Sequence, residues 1–419
     1  MKRLLRVIGA FVMWGCTDGS VGSDDCFGER VRCEIPIDAD NNPVHLESGE
    51  YAEVATKNLD ELAPTWIRPL PMTASESRWS NMLLTNDFEG DVWLFTQREK
   101  QLIANKLDAD GQVAESQAFD APRNWEVFDV ATLDLSSYRQ SGHGPTLRVN
   151  WPAQVKGEAL DPLNSIEWIK FGDSFDDPKR LVADKDSAYW DLELIWDVDD
   201  AIYGMKSRFT VENGSLEKFD REGNRVWKQT AMSRLLRGSA RKFFGLLGDH
   251  QVGMFMAEQV GITGSVIGAD GNYAATLGMP YWAPSATMQS MQQGARGPVI
   301  LAESGDDDLY VAHLQTKPPA VKTVMIRRDD YLAFSDVPSA VDPKGNVYVA
   351  LVFGGRDIGD QRRAICRVPF EGASSCMQLA KSSELEVTES NRMELATNAD
   401  GVLFLRTDKA FVRIDFPGR

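Results

Sequence analysis

Histidine is scarce in this chain, with four in 419 residues, at positions 45, 143, 250 and 313. No two stand at metal-ligand spacing, so a zinc or iron centre would have to be assembled from distant segments. Each of the four reads as a surface or core residue, and Gly142-His143-Gly144 as a loop tip. The sequence also lacks a G-x-S-x-G elbow, a G-x-G-x-x-G turn, a phosphate-binding P-loop and an H-E-x-x-H helix. No catalytic residue, metal site or cofactor is therefore assigned. Positive charge is short as well: 45 basic against 62 acidic residues give −17. That field repels nucleic-acid phosphates, so no nucleic-acid role is expected, and it suits an acidic surface facing solvent or a basic partner.

Cysteine is sparse, and its distribution is informative. Cys16 stands alone, Cys26 and Cys33 lie close together, and Cys366 and Cys376 form a second near pair. One single and two pairs fit a modified cysteine and two short disulfides, although four cysteines allow three connectivities. Each short loop would stabilise the fold by about 2.5–3 kcal/mol on the chain-entropy model. Five buried thiols in a cytosolic protein are the alternative.

The amino terminus places Lys2, Arg3 and Arg6 before the apolar run Val7 to Trp14, then Gly15-Cys16 and a small, polar tract. Eight apolar residues are too few to span a bilayer but suit the core of an export signal. The arrangement resembles a bacterial lipoprotein signal, with Met13 and Trp14 departing from its usual residues. The resemblance implies a thiol diacylated at Cys16, with cleavage before it. Residues 1–16 are then the signal segment. Residues 17–60 form a tether and cysteine-containing segment, and 61–419 the folded domain.

Within that domain one stretch repeats. Val341 to Ala350 is a turn, Asp342-Pro-Lys-Gly345-Asn346, feeding the apolar run Val347-Tyr-Val-Ala350. Echoes occur at Asp87–Asp91, Asp108–Gly111, Asp197–Asp200, Arg221–Asn224, Ala269–Asn272, Gly305–Asp308 and Asn398–Gly401. Units of roughly 40–50 residues made of short strands and glycine-rich turns indicate a β-propeller. Candidate blades fall near 82–119, 126–171, 190–230, 244–280, 298–328, 336–380 and 392–416. The expected fold is all-β, with about seven four-stranded blades; six or eight blades, or paired β-sandwiches, are the alternatives. Ring closure calls for an early strand, from either Thr65–Leu70 or Glu50–Thr56.

The run from Val341 to Gly359 looks like the repeat of bacterial envelope propellers of the D-x-x-G-N-x-Y-V type. Phe219 to Trp227 resembles the corresponding unit of PQQ-like propellers, and Gly354-Gly355 is kelch-like. The resemblance implies a propeller and no particular activity.

Three acidic clusters are candidates for chemistry: Asp173-Ser-Phe-Asp-Asp177, Asp197-Val-Asp-Asp200 and Asp306-Asp-Asp308. Gathered on one face they could bind Ca²⁺ or a basic partner, or act as acid and base on a glycoside; as blade turns they are simply solvated. Asp38 to Asn42 begins like a calcium loop, but Pro43 replaces the required glycine and Gly49 the bidentate glutamate, so a surface loop is the reading. The eleven tryptophans suit packing between blades better than sugar stacking. The expectation is a lipid-anchored propeller of a bacterial cell envelope, at the outer membrane on its periplasmic face or at the cell surface. It would act as a non-catalytic scaffold for a protein or glycan, bound to the membrane through its anchor. The alternative is a carbohydrate-active hydrolase or lyase with carboxylates paired across blades beside tryptophans.

Overall fold

The computed structural model describes residues 52–417 apart from stretches within that span, the longest being 70–81, 136–143, 156–165, 207–214, 230–241 and 328–336. Cys16, Cys26, Cys33, the Asp38 to Asn42 tract, His45, His143 and His250 lie outside the described residues. Three short strands come first: β1 (Ala52–Ala55), β2 (Glu61–Leu62) and β3 (Trp66–Pro69). Blade A follows as β4 (Met82–Asn86), β5 (Val92–Arg98), β6 (Gln101–Leu107) and β7 (Val113–Asp120). Blade B comprises β9 (Thr132–Leu135), β10 (Thr146–Asn150), β12 (Ile166–Lys170) and β13 (Lys179–Ala183); a side ribbon pairs β8 (Trp125–Val127) with β11 (Ala153–Val155). Blade C comprises β14 (Glu193–Trp196), β15 (Ile202–Lys206), β16 (Ser215–Phe219) and β17 (Arg225–Gln229).

Blade D is β18 (Lys242–Leu246), β19 (Val252–Glu258), β20 (Gly261–Ile267) and β21 (Tyr273–Pro280). Blade E is β22 (Thr287–Gly294), β23 (Gly297–Glu303), β24 (Leu309–Thr316) and β25 (Pro319–Arg327). Blade F is β26 (Ser339–Val341), β27 (Val347–Phe353), β28 (Arg362–Val368) and β29 (Ser375–Leu379). Blade G holds β30 (Met393–Thr397), β31 (Val402–Thr407) and β32 (Ala410–Asp415). The molecule is a seven-bladed β-propeller, and every blade is an antiparallel meander in chain order.

A blade is one sheet thick, so its apolar side chains are buried only against its neighbours. The cores accordingly lie in the seams. Trp93 and Phe95 of blade A pack with Leu147 and Ile169 of blade B, and Trp168 of B packs with Trp196 of C. Blades C, D and E share one cluster through Tyr203, Phe244 and Ile300. Val311 and Val349 join E to F, Tyr348 and Leu405 join F to G, and Phe404 and Val92 join G back to A. A central strand sandwiched this way is buried on both faces, so β27 and β31 read as nearly unbroken apolar runs.

Of the two segments expected to close the ring, Thr65–Leu70 supplies the strand. β3 pairs antiparallel with β32 as the fourth strand of blade G. The other segment has a different place: β1 runs parallel to β25 on the outer edge of blade E, and β2 parallel to β29 on blade F. The seam between G and A, where the ring's ends meet, is also tied by polar groups. Arg406, 1% exposed, donates from Nη1 to the Met82 carbonyl at 2.8 Å and to Glu394 Oε2 at 2.8 Å; the same oxygen accepts the Leu84 N–H at 2.7 Å. Asn86 accepts the Thr397 N–H and donates to the Val341 carbonyl, so blade A holds both G and F. Within blade F, Cys366 and Cys376 are cross-strand partners on β28 and β29 and form a disulfide.

Candidate functional site

The repeated stretch turns out to be a hairpin turn. In blade A the Asp87 N–H donates to the Asp91 carbonyl at 3.0 Å, and the Gly90 N–H to the Asp87 carbonyl at 3.2 Å. The same two bonds recur at Asp108–Gln112, Asp197–Ala201, Asp220–Asn224, Gly268–Asn272, Asp342–Asn346 and Asn398–Val402. The fourth residue of each has φ between 68° and 88°, glycine in six copies and Asp200 in the seventh. This is a type I turn followed by a left-handed residue. Every copy joins strand 1 to 2 or strand 3 to 4 of its blade, so all seven lie on one face of the ring, termed here the turn face.

Except at Gly268, the first residue of the turn is Asp or Asn, and in four copies its side chain does the work of a missing backbone group. Oδ1 of Asp87, Asp108, Asp342 and Asn398 each accepts two backbone N–H groups, those two and four residues on, at 2.8–3.1 Å. In two of these copies the second oxygen has a partner as well. Six residues on, Trp93 donates its indole N–H to Asp87 Oδ2 at 2.9 Å, and the Tyr348 hydroxyl lies 3.5 Å from Asp342 Oδ2.

Burial pushes the Asp87 carboxyl up to about 6, against the hydrogen bond from Trp93 that favours its charged form. A raised carboxyl is often a catalytic acid, but this one is 2% exposed and enclosed by its own turn. The folded pKa lies above the unfolded value of 3.8. The stabilisation it contributes is therefore complete below about pH 4 and is lost as pH rises through about 6. A shift of about two units corresponds to roughly 3 kcal/mol. The stability difference between wild type and Asp87→Asn, measured by urea unfolding, is expected to grow in favour of wild type as pH falls from 7 to 4. A difference that stays flat refutes the assignment.

The acidic clusters do not converge on one face. Asp197 and Asp200 belong to the first turn of blade C, and Asp176 to the β12–β13 connection, both on the turn face. Asp308 precedes β24 in a connection between strands 2 and 3, on the opposite face. Asp200 already pairs with Lys179 and, at 3.5 Å, with Lys170. Burial raises its pKa, but these two cations outweigh burial and hold it below the ordinary carboxylate value. Asp173, Asp177, Asp306 and Asp307 lie outside the described residues. Among the described residues no group of three or more His, Cys, Asp or Glu is placed to hold a metal ion. Trp93, Trp151, Trp168 and Trp196 are buried in the A–B and B–C seams, while Trp227 donates to the Ala269 carbonyl at 3.0 Å and clasps C to D. Packing accounts for them.

A site the sequence did not disclose opens between blades E and F on the turn face. It is a cleft of about 260 Å³, walled by Gly294 and Gly297 of the β22–β23 hairpin and His313 of β24. The facing wall is the Lys344–Asn346 turn with Arg367, Phe370 and Glu371. Lys322 of β25 ties the walls together, donating to the Pro369 and Phe370 carbonyls at 3.0 and 2.6 Å. Arg367 donates to Asn346 Oδ1 at 3.2 Å. His313, 3% exposed, meets the Phe370 ring edge-on at 5.6 Å. Its Nε2 has no hydrogen-bond partner among the described residues, so the backbone bond with Val368 falls to Nδ1. Burial first, and then the Lys322 charge, push the imidazole down to about 4. The ring is neutral near pH 7 and its Nε2 is an acceptor without a donor.

No protein-family model matches the chain, and no curated protein matches it. Among solved structures it is similar to BBS1N as seen in the crystal structure of BBS1N in complex with ARL6DN, soaked with lead. The identity is 11%, the likeness covers 86% of this chain and 99% of that one, and the TM-score is 0.43. At those values it carries no functional argument.

Proposed function

We propose that this chain is a lipid-anchored propeller of a bacterial envelope, at the outer membrane facing the periplasm or at the cell surface. It acts as a non-catalytic scaffold whose turn face binds a protein, or secondarily a glycan. The observation that carries the reading is the repeated turn itself. A single backbone geometry, locked by the same hydrogen bonds, presents Glu89, Asp110, Glu222, Asp270 and Asp400 as exposed side chains on one rigid frame. An acidic display of that kind selects a basic partner surface and speeds encounter with it.

The anchor fits the same arrangement. Cys16 would carry the lipid, upstream of β1, which lies on the outer edge of blade E. The enzyme alternative needs two free carboxyls beside tryptophans; the turn aspartates are occupied by backbone N–H groups and the described tryptophans by packing. Two measurements test the proposal. Palmitate is expected to label the wild type but not Cys16→Ser, and equal labelling refutes the anchor. Crosslinking in the native envelope is expected to capture one partner. The variant Glu89→Gln, Asp110→Asn, Glu222→Gln, Asp270→Asn, Asp400→Asn should lose that partner while keeping its melting behaviour. A partner retained undiminished refutes the turn face as the binding surface.

A further inference from the structure

We propose that the cleft between blades E and F is a binding site for a small organic carboxylate that also carries hydroxyl groups, of the chemical class of a hydroxy acid or a uronic acid. The inference goes beyond the turn-face reading and is separable from it, since the exposed carboxylates and this cleft share no side chain. Three observations converge on it. First, His313 lines the cleft, and its Nε2 is a buried acceptor that meets no donor among the described residues. Leaving such an atom unpaired costs about 1–3 kcal/mol, and a ligand hydroxyl reaching it removes that cost. A metal is the poorer occupant, because among the described residues His313 and Glu371 are joined there by no third His, Cys, Asp or Glu that could complete a metal site.

Second, the opposite wall is cationic in a chain of net charge −17. Lys344 and Arg367 line the cleft against the one carboxylate of Glu371, with Lys322 immediately behind. Arg367 is held toward the cleft by Asn346, which suits a planar fork to a carboxylate. Third, Gly294 lines the cleft with no room for a side chain of its own. A Cβ on Gly294 would come within 2.8 Å of the Gly297 carbonyl oxygen and 3.0 Å of Val299. The volume of about 260 Å³ lies just below the roughly 300–1,000 Å³ of sites for drug-sized ligands, so the occupant is small. A single acidic sugar, with its carboxylate at Arg367, a hydroxyl at His313 Nε2 and its apolar ring face toward Phe370, satisfies all three requirements.

The test titrates the full chain by calorimetry with glucuronate, glucose and acetate. Glucuronate carries both the carboxylate and the hydroxyls; each of the others carries one of the two. Glucuronate is expected to bind at least about tenfold more tightly than either, the worth of one added buried hydrogen bond or charge contact. His313→Phe should lose about tenfold, and His313→Gln, which restores an acceptor, should recover part of it. Because a core variant can misfold, a second measurement uses the wild type: the ¹⁵N resonance of His313 Nε2 should shift on adding glucuronate and stay still with acetate. An oligosaccharide ending in the same uronate separates a free metabolite from a glycan end, the tighter of the two marking the natural form. No heat and no shift with glucuronate up to about 10 mM, where even a weak site of millimolar Kd would be filled, overturns the site. Equal binding of acetate overturns the role of His313.

Discussion

Gly90→Ala is expected to destabilise the ring by about 3–5 kcal/mol, far more than the common cost of a glycine-to-alanine change in a turn. Two terms add at this position. Gly90 sits at φ +88°, where an L side chain costs about 1–2 kcal/mol. A Cβ there would also lie 2.4 Å from the Ala399 backbone nitrogen and 2.7 Å from its Cα. That neighbour is the matching turn of blade G, so the collision is between backbones across the seam where the ring closes, and no rotamer change relieves it. Gly372 isolates the first term: its φ is +98°, and a Cβ on it would meet nothing within 4 Å. Gly372→Ala should therefore cost only about 1–2 kcal/mol. Gly172, with ordinary φ and open space around it, should tolerate alanine with little change. Urea unfolding of the three variants gives the ordering. Gly90→Ala matching Gly372→Ala would show that the G–A seam yields and that turn contacts across it do not hold the ring.

The legibility of the architecture has a physical cause. The inner strands of a blade are covered on both faces by neighbouring blades, so they are largely apolar, as Val347–Phe353 and, up to Arg406, Val402–Thr407 are. Six of the seven turns begin with Asp or Asn, and all seven have a left-handed fourth residue, glycine in six, a signature that a sequence shows plainly. Together these disclosed seven blades. Fourth strands were harder to read. Val113–Asp120 and Arg225–Gln229 form outer edges, mostly exposed, and solvent imposes no pattern on them. Blade B was placed about a dozen residues short, because its fourth strand, Lys179–Ala183, follows polar connections that look like loop.

The cleft was not legible at all. Its walls come from residues 294–314 and 344–371, which two separate blades bring together, and no local spacing links His313 to Arg367. His313 was read as one isolated histidine of four. What distinguishes it is a missing partner, and a missing partner is a property of three-dimensional packing. The Asp87–Trp93 and Asp342–Tyr348 contacts were equally hidden, because a side-chain bond six residues along a hairpin leaves no local pattern in the sequence.

The second large effect concerns β3. A chain beginning at residue 71 is expected to lose several kcal/mol and to associate, whereas one beginning at residue 63 should remain monomeric with nearly the wild-type unfolding midpoint. The longer deletion strips blade G of its fourth strand and exposes the edge of β32, a row of unpaired N–H and C=O groups that templates pairing with another chain. It also removes Trp66, whose ring packs 5.5 Å from Phe411 and 6.4 Å from Phe404. That ring reaches across the seam to the Gly111 turn of blade A, where an added Cβ would stand 2.8 Å from it. Trp66→Ala alone should cost about 2–3 kcal/mol, less than the 3–5 of a fully buried tryptophan because its side chain is only partly covered. The shorter deletion removes β1 and β2, which add parallel fifth strands to blades E and F that are already complete, so the ring stays closed without them. A peptide of residues 63–70 added in excess to the truncated ring should restore its midpoint by mass action. If the chain starting at 71 unfolds at the wild-type midpoint as a monomer, β3 does not close the ring, and closure must rest on the direct contact of blades G and A through Arg406, Glu394 and Asn86.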